Sequence, residues 1–288
     1  MGPSCIAWIC QKHTTQEGQL LVYRLPGLSS RAAELVVKWA TEEFSDWTPK
    51  VGRRPKLDIV GTLRLCLCWL RRNMTFEELG EDFGIGTTTA WEYAHGMAKF
   101  LAELIGCPVE SLQGQVAGKI CLVDGTLVPT CNWRHRRDLH SGHRKRYGVN
   151  VQIVCDIHGR VDASSKAFPG SWHDKRCFDE AGLAAVLAGS GGLIGDAGYQ
   201  GIDGITPFKE NPARKLTGDH HRFNAQVAAI RFVVEQAIAH IKNWRIMTTR
   251  YRGHLDRMDN VILAAVGLQA LNDQLSDRAL SLSRLTQK

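Results

Sequence analysis

The chain has 288 residues and a formal net charge of +7, because 36 Lys and Arg outnumber 29 Asp and Glu. Hydrophobic residues make up 44% and charged residues 23%, which is typical of a folded globular protein and excludes a disordered, collagen-like or coiled-coil chain. The apolar runs are too short for a secretory leader or a membrane span. We therefore expect a cytoplasmic protein without a membrane partner, and the positive charge favours an anionic partner.

The sequence changes character near its middle. Residues 1 to about 110 carry helical periodicity, whereas residues 118–208 carry short β-branched runs separated by glycine. We therefore predict a helical region over 1–110 and a second, α/β domain over 111–288. Residues 1–25 have no convincing pattern. The nine cysteines lack paired Cys-x-x-Cys motifs, which indicates reduced thiols rather than disulfides.

Two amphipathic helices are predicted first, at residues 29–44 and 57–72, from the spacing of their apolar residues. Basic residues cluster before the second helix and at its end: Lys50, Arg53, Arg54, Lys56, Arg71 and Arg72. Side chains of this kind suit contacts with the phosphates of a nucleic acid.

The segment 75–101 is the most informative part of the first half. Thr75 and Glu78 stand three residues apart, a capping box that predicts the start of a short helix ending near Gly84. Gly80 allows a close approach between two helices, and Gly84 suits the left-handed conformation of a sharp turn. Together these features are typical of a helix-turn-helix.

A second helix is predicted to restart after this turn. If the segment binds DNA, the exposed start of that helix enters a major groove with three hydroxyl side chains: Thr87, Thr88 and Thr89. An ordinary helical hairpin explains the spacing equally well. The upstream basic residues favour the DNA-binding alternative.

The second half begins with Lys119 and an apolar run, residues 120–123, that stops at Asp124 and Gly125 and predicts a buried strand ending there. Residues 148–156 and 160–168 follow, and the short polar connection between them predicts a hairpin of two longer strands.

A helical stretch over 176–188 precedes a short strand at 192–194, which runs directly into Asp196. The last predicted helix, residues 224–244, carries one apolar stripe: Val227, Ile230, Val234, Ile238 and Ile241. At about 100° per residue, Arg231, Glu235 and Lys242 cluster on the flank of that stripe.

Three acids occupy unusual positions, since Asp124 and Asp196 follow apolar strands and Glu235 borders an apolar helix face. Converging carboxylates repel one another unless cations neutralise them, and hard oxygen ligands select Mg²⁺ or Mn²⁺. Two such ions are suited to phosphodiester chemistry. Each acid also has an ordinary interpretation: the two aspartates as turn caps and Glu235 as a helical ion pair with Arg231. The hypothesis rests on the three acids occurring together.

A basic loop, residues 133–148, lies close to the first acid in sequence. It has a single acid, Asp138, against six basic residues: Arg134, Arg136, Arg137, Arg144, Lys145 and Arg146. We interpret the loop as a phosphate-binding segment, with Trp133 and Tyr147 available for stacking on bases. The alternative is a solvated basic loop.

Two further groups of residues have competing interpretations. A zinc site is disfavoured because paired knuckles are absent from its candidate ligands: Cys131, His135, His140 and His143. The pair His173 and Asp174 is suited to an auxiliary base or orienting role near the metals, but the favoured interpretation makes Asp174 the N-cap of the next helix. Arg231 and Lys242 are further auxiliary candidates.

Five motifs in chain order, LVDGT, HSGHRKRYGVNVQIVCDIHGRV, GSWHDKRCF, GDAGY and RFVVEQAIAHIKNWRI, resemble the DDE transposases of bacterial insertion sequences, in the branch similar to Harbinger-type transposases. The resemblance covers about residues 60–275. It implies an α/β, RNase H-like mixed-sheet catalytic domain with an N-terminal all-α helix-turn-helix domain, and neighbouring strands for the two aspartates. By motif, the catalytic and metal-binding acids are Asp124, Asp196 and Glu235.

The resemblance further implies a nucleoid-associated enzyme with two Mg²⁺ or Mn²⁺ ions, acting as a homo-oligomer on double-stranded DNA at transposon ends and target. It would cleave and join phosphodiester bonds without a covalent protein intermediate. Two alternatives stay open: a domesticated, catalytically silent sequence-specific DNA-binding protein, and an RNase H-like nuclease acting on another nucleic acid.

Overall fold

The computed structural model describes residues 25–43, 55–131, 135–210 and 215–275. Contacts between them define two units. A sheet unit comprises residues 107–131, 135–210, 215–242 and 249–252. A helical unit comprises residues 25–43, 55–106, 243–248 and 253–275. The predicted domain boundary near residue 110 stays a prediction. In the helical unit, C-terminal residues pack with the N-terminal helices.

The described part of the helical unit contains five α-helices: α1 Ser30–Glu43, α2 Ile59–Arg72, α3 Phe76–Phe83, α4 Thr87–Ile105 and the C-terminal helix, which is named α8 below. The four N-terminal helices lie where their periodicity predicted them, with ends that differ by a few residues. Asp58 begins α2 by accepting a hydrogen bond of 2.7 Å from the Gly61 N–H, and Asn73 ends it in the left-handed conformation.

The predicted capping box at the start of α3 is present. The Thr75 N–H donates to Glu78 Oε2 at 2.7 Å, and the Glu78 N–H donates to Thr75 Oγ1 at 3.2 Å. Gly84 has a φ of +64°, and a Cβ atom on Gly80 would lie 2.8 Å from the Ile85 carbonyl oxygen. Both glycines therefore have the roles that the sequence predicted, the turn and the close approach.

The helix α8, Met258–Leu275, was not predicted, and it contributes much of the core of the helical unit. It packs against the end of α4 so closely that a Cβ atom on Gly267 would lie 2.2 Å from the Ile105 carbonyl oxygen. The buried Trp244 Nε1 donates to Gln269 Oε1 at 3.0 Å. None of the described helices is long and apolar enough to cross a membrane.

Within the described residues, the sheet unit has six strands: β1 Ile120–Pro129, β2 His140–Ser141, β3 Arg146–Asp156, β4 Val161–Ser164, β5 Phe168–Pro169 and β6 Gly192–Ile194. The sheet order is β2-β3-β1-β6, and β4 and β5 also pair with β3. β1 runs antiparallel to β3 and parallel to β6, so the sheet is mixed, as the sequence predicted. The predicted hairpin of β3 and β4 is confirmed.

Three helices accompany the sheet: α5 Asp174–Glu180, α6 Leu183–Leu187 and α7 Gly218–Ile241. The single helical stretch predicted over 176–188 is wrong, because Gly182 has a φ of +69° and separates α5 from α6. The core beneath the sheet combines strand and helix residues: Cys121, Val123, Val154, Phe178, Leu183 and Tyr199.

The helix α7 begins six residues earlier than predicted, because Thr217 and His220 form a capping box at its start. The predicted apolar stripe is wrong at Ile230, whose surface is 44% exposed, while Ala237 is buried in its place. The seven described cysteines are free thiols, as predicted, and the prediction for Cys5 and Cys10 lies outside the described residues.

A buried acid in β4 gives a testable pH dependence. Burial raises the pKa of Asp162 to about 6, against the lowering effect of Lys119, and among the described residues its Oδ2 has no hydrogen-bond partner. Because the pKa is higher in the folded state, this residue favours folding below pH 4 and loses that contribution as the pH rises through 6. The loss is on the order of 2 to 3 kcal/mol.

We expect Asp162→Asn to remove this part of the pH dependence. Urea unfolding between pH 4 and 7.5 measures it, as the difference in free energy of unfolding between wild type and variant. The exposed Asp203→Asn is the control and should follow wild type. Parallel curves for wild type and Asp162→Asn would contradict the assignment.

Candidate active site

Asp124 lies in the middle of β1, not at its end. The strand continues to Pro129, and Asp124 stands opposite Ile153 of β3. The predicted strand end and the turn interpretation of Asp124 and Gly125 are therefore wrong, because pairing with β3 carries the backbone straight through both residues. The Asp124 side chain is only 18% exposed, and its Oδ1 accepts a hydrogen bond of 2.9 Å from the Gly125 N–H.

Asp196 follows the end of β6, which pairs with β1 through Leu122 and Ile194. The two aspartates are thus carried by neighbouring parallel strands, as the sequence resemblance implied. Asp196 also caps a short 3₁₀ turn, Ala197–Tyr199, by accepting a hydrogen bond of 2.6 Å from the Gly198 N–H. Asp196 therefore caps a turn, as its ordinary interpretation predicted, and it also lies near Asp124.

The third acid, Glu235, reaches the site from α7. Its side chain is 55% exposed, and its Oε1 lies 3.8 Å from Nη1 of Arg231, one helical turn away. Nη2 of Arg231 lies 3.6 Å from Oδ1 of Asp124, and the Arg231 side chain is 14% exposed. One half-buried guanidinium therefore stands between the carboxylates of Asp124 and Glu235 and joins α7 to β1.

The electrostatics of Asp124 show how closely charges are gathered here. Burial raises the pKa of Asp124 to about 6; the guanidinium of Arg231 opposes the shift, and the negative charges of Asp196 and Asp174 add to it. Burial lowers the pKa of Lys242, and the positive charge of Arg144 adds to that effect. The predicted auxiliary residues Arg231 and Lys242 therefore both belong to the surroundings of Asp124.

Asp174 is not the helix cap that the sequence favoured. The N-cap of α5 is His173, whose Nδ1 accepts a hydrogen bond of 3.4 Å from the Lys175 N–H. Asp174 is the first residue inside the helix, and its Oδ1 accepts a hydrogen bond of 2.7 Å from Nδ2 of Asn150 on β3. The carboxylate points to the sheet because Gly125 has no side chain to exclude it.

The basic loop is exposed where the structure describes it. Arg136 forms two hydrogen bonds with Asp138, at 2.9 and 2.8 Å, while the other described basic residues lie at the surface: Arg137, Arg144, Lys145 and Arg146. Lys145 has a φ of +49° in the tight connection between β2 and β3. The predictions for Trp133 and Arg134 lie outside the described residues.

The proposed recognition segment is equally accessible. Thr87 and Thr88 are exposed at the start of α4, and Thr89 is partly buried. Leu79 of α3 and Ile85, in the turn before α4, are buried. The site for DNA recognition itself stays a prediction.

Comparison with known proteins identifies the family of this chain. A family model described as DDE superfamily endonuclease matches residues 123–269, just over half of the chain. The chain belongs to this DDE endonuclease family. The chain is also 25% identical over 224 residues to a probable transposase for insertion sequence element IS702 from Microchaete diplosiphon, across 70% of this chain and 76% of the relative. The resemblance inferred from the motifs is confirmed.

DDE superfamily endonucleases generally use divalent metal ions, and carboxylate oxygens are ligands of the kind that such ions prefer. The carboxylates of Asp174 and Asp196 both lie close enough to Asp124 to raise its pKa. In the described ranges no three His, Cys, Asp or Glu side chains are gathered tightly enough to hold a metal ion, the predicted zinc alternative included. Arg231 supplies the positive charge between Asp124 and Glu235.

The sequence analysis did not predict the contact between Asp174 and the first strand. One signal for it was Gly125, since a glycine inside a strand often marks the close approach of another group. A Cβ atom at Gly125 would lie 2.2 Å from Oδ1 of Asp174. The partner Asn150 is an ordinary polar residue in the sequence and gave no comparable signal.

Proposed function

We propose that this DDE endonuclease is a DNA transposase that cleaves phosphodiester bonds at the ends of a mobile element and joins them to target DNA. The observation that carries the proposal is the placement of Asp124 on β1 and of Asp196 just after the neighbouring parallel strand β6, with Arg231 of α7 linking Glu235 to Asp124. The family match spans all three acids, and the relative named as a probable transposase supports the same activity.

In this proposal Asp124, Asp196 and Glu235 would hold two Mg²⁺ or Mn²⁺ ions, and the ions would supply an activated water and charge stabilisation for phosphodiester cleavage. The carboxylates supply the ligand oxygens, and Arg231 exchanges its contacts with them for the phosphate of the DNA. Lys242 and the basic loop, including Arg144, add positive charge on the side from which DNA enters.

We further propose an RNase H-like arrangement, supported by the antiparallel β3, the parallel β6 and the packing of α7 against β1. For DNA recognition we propose a helix-turn-helix formed by α3 and α4, supported by the tight turn at Gly84 and the exposed Thr87 and Thr88. Two element ends must be brought together, so we propose that the protein acts as a homo-oligomer.

The decisive experiment incubates the purified protein with duplex DNA that contains the inverted repeats flanking its reading frame, with Mg²⁺. We expect strand cleavage at the repeat boundary and, with target DNA added, strand joining. Binding without cleavage would instead establish a catalytically silent DNA-binding protein. Preferential cleavage of an RNA–DNA hybrid would establish an RNase H-like nuclease acting on another substrate.

The basic loop predicts a specific salt dependence of DNA binding. Each phosphate contact contributes about 0.9 to the slope of log K against log salt concentration. We expect Arg144→Ala to lower that slope by about this amount and to weaken binding to all DNA sequences alike. Arg136→Ala is the matched control and should have a smaller effect, because Asp138 already neutralises its guanidinium. Equal effects of the two variants in titrations at several salt concentrations would contradict the model.

A further inference from the structure

An arginine from the C-terminal part of the chain lies over the helix for which we propose DNA recognition. The guanidinium carbon of Arg257 is 4.4 Å from the ring centroid of Trp91, in the second turn of α4. A cation at this distance from an aromatic ring forms a cation–π contact. Trp91 is partly buried, whereas Arg257 is exposed. The positive charge of Arg257 is therefore at the surface beside α4.

Trp91 lies at one edge of the exposed face of α4. At about 100° per residue, Thr88 and Glu92 lie close together on the surface of this helix, and both are exposed. Trp91 falls to one side of these two residues, and Tyr93 falls to the other. Trp91 and Tyr93 are both partly buried, as residues are where an exposed face meets the packed side of a helix. We call these two positions the edges of α4.

The Tyr93 edge also has a basic residue beside it. The N–H of Lys56 donates a hydrogen bond of 3.3 Å to the hydroxyl oxygen of Tyr93, and Lys56 is exposed. This hydrogen bond fixes the backbone of Lys56 next to α4. Each edge of α4 therefore has an exposed basic residue beside it, Arg257 at one edge and Lys56 at the other.

The backbone of Arg257 is held in place from both sides of the residue. Arg257 ends a 3₁₀ turn, Leu255–Arg257, in which its N–H donates to the His254 carbonyl oxygen at 3.2 Å. The next residue, Met258, is the first of α8 and is only 1% exposed. Because α8 packs closely against α4, Arg257 is attached to the same core as the helix that it contacts.

A buried histidine supports the Trp91 ring from inside the helical unit. The ring centroids of Trp91 and His95 are 4.9 Å apart, and His95 is 5% exposed. Burial lowers the pKa of His95 to about 4; the positive charge of Arg257 adds to that effect, and Asp256 opposes it. His95 is therefore neutral at pH 7, and the positive charge beside Trp91 is that of Arg257.

The two edges of a helix have a direct meaning in a DNA groove. A helix in the major groove of B-DNA has one sugar–phosphate backbone on each side. A guanidinium binds phosphate through its N–H donors, and a cation–π contact does not use those donors. Basic residues beside opposite edges of α4 are thus placed to meet the backbones of opposite DNA strands.

We propose that Arg257 and Lys56 contact phosphates of opposite strands of duplex DNA and hold α4 in the major groove from both edges. The proposal rests on the helix-turn-helix proposed above and deepens it, because it adds a residue about 170 positions beyond Thr87 to the DNA-binding surface. Phosphate contacts position a helix without reading sequence, so Arg257 sets the register of α4 on the DNA while exposed residues such as Thr88 contact the bases.

A scan of the DNA backbone tests the assignment of each residue to a strand. Duplexes of the element-end repeat each carry one methylphosphonate, which removes the charge of a single phosphate. Binding of the full chain is measured in EDTA by fluorescence anisotropy. Wild type should lose affinity at positions on both strands. Arg257→Gln should become insensitive to the substitution at a position on one strand, and Lys56→Gln at a position on the other.

Salt dependence provides a second readout. Arg257→Gln should lower the slope of log K against log salt concentration by about 0.9, and Arg257→Lys should restore it because the charge is kept. Arg31→Gln is the control, since it removes the same charge from an exposed position on α1 and should leave both the slope and the strand pattern unchanged. Arg257→Met still covers the Trp91 ring without a charge, and it should reproduce the DNA-binding result of Arg257→Gln.

A purely structural role of Arg257 predicts a different result. Arg257→Gln would then lower the melting temperature and leave the salt slope and the strand pattern as in wild type, which would overturn the proposal. Insensitivity on the same strand in Arg257→Gln and Lys56→Gln would overturn the placement at opposite edges. Wild type that does not prefer the repeat to unrelated DNA would overturn the proposed DNA recognition itself. Wild-type binding that Thr88→Ala weakens and Arg257→Gln leaves intact would overturn only the role of Arg257.

Discussion

Replacing Asp124 by Asn is expected to abolish Mg²⁺-dependent cleavage of element-end DNA while binding to that DNA persists. The substitution keeps the shape of the side chain and removes the charge of a proposed catalytic acid whose side chain is only 18% exposed. Loss of charge stabilisation worth several kcal/mol slows the reaction on the order of 10³-fold or more. A gel assay of nicking, with binding measured in parallel by fluorescence anisotropy, provides both quantities.

Glu103→Gln is a suitable control for this experiment, because that carboxylate is exposed on α4 and pairs with Lys99. It should cleave at the wild-type rate. Nicking by Asp124→Asn at a similar rate would refute the catalytic assignment, and loss of DNA binding in that variant would show that Asp124 acts on the fold instead.

The largest expected effect on stability comes from Gly267→Ala. The new Cβ atom would lie 2.2 Å from the Ile105 carbonyl oxygen and 2.8 Å from its carbonyl carbon, and both are backbone atoms that cannot rotate away. α8 must therefore move away from α4, and overpacking of this kind costs about 1 to 3 kcal/mol or more. Urea unfolding followed by tryptophan fluorescence measures the loss.

Gly218→Ala is the counterpart for this prediction. Gly218 is also helical, but nothing lies within 4 Å of the position of its Cβ atom. Its replacement should be neutral or stabilising by about 0.4 to 1 kcal/mol, because alanine restricts the unfolded chain. Equal destabilisation by both substitutions would show that replacing any helical glycine has this cost, and it would contradict the close contact at Gly267.

Local patterns predicted the helices that have one polar and one apolar face. α2 and α3 were located from periodicity and from the capping box at Thr75, because these features act within one or two turns. α8 was missed because it is buried on most sides, so its sequence has little polar face to reveal a helical period. What buries it is α4, which lies far away in the sequence.

The acids of the candidate site were proposed from motifs, but their surroundings were only partly predictable. The continuation of β1 through Asp124 depends on its pairing with β3, and Gly125 by itself indicated a turn. The contact of Asp174 with Asn150 depends on where α5 begins relative to the sheet, which a capping pattern did not fix. Local spacing thus gave candidate residues, but it did not predict which of them meet.

The packing of α8 against α4 also determines when the protein can finish folding. About 160 residues separate Ile105 from Gly267, so the closing contact has a high entropic cost and a slow rate. On the ribosome, α4 emerges roughly 10 to 30 s before α8 at ordinary elongation rates. During that interval its apolar side is available to chaperones that bind nascent chains. A chain cut short before Met258 never covers that side and is exposed to proteolysis.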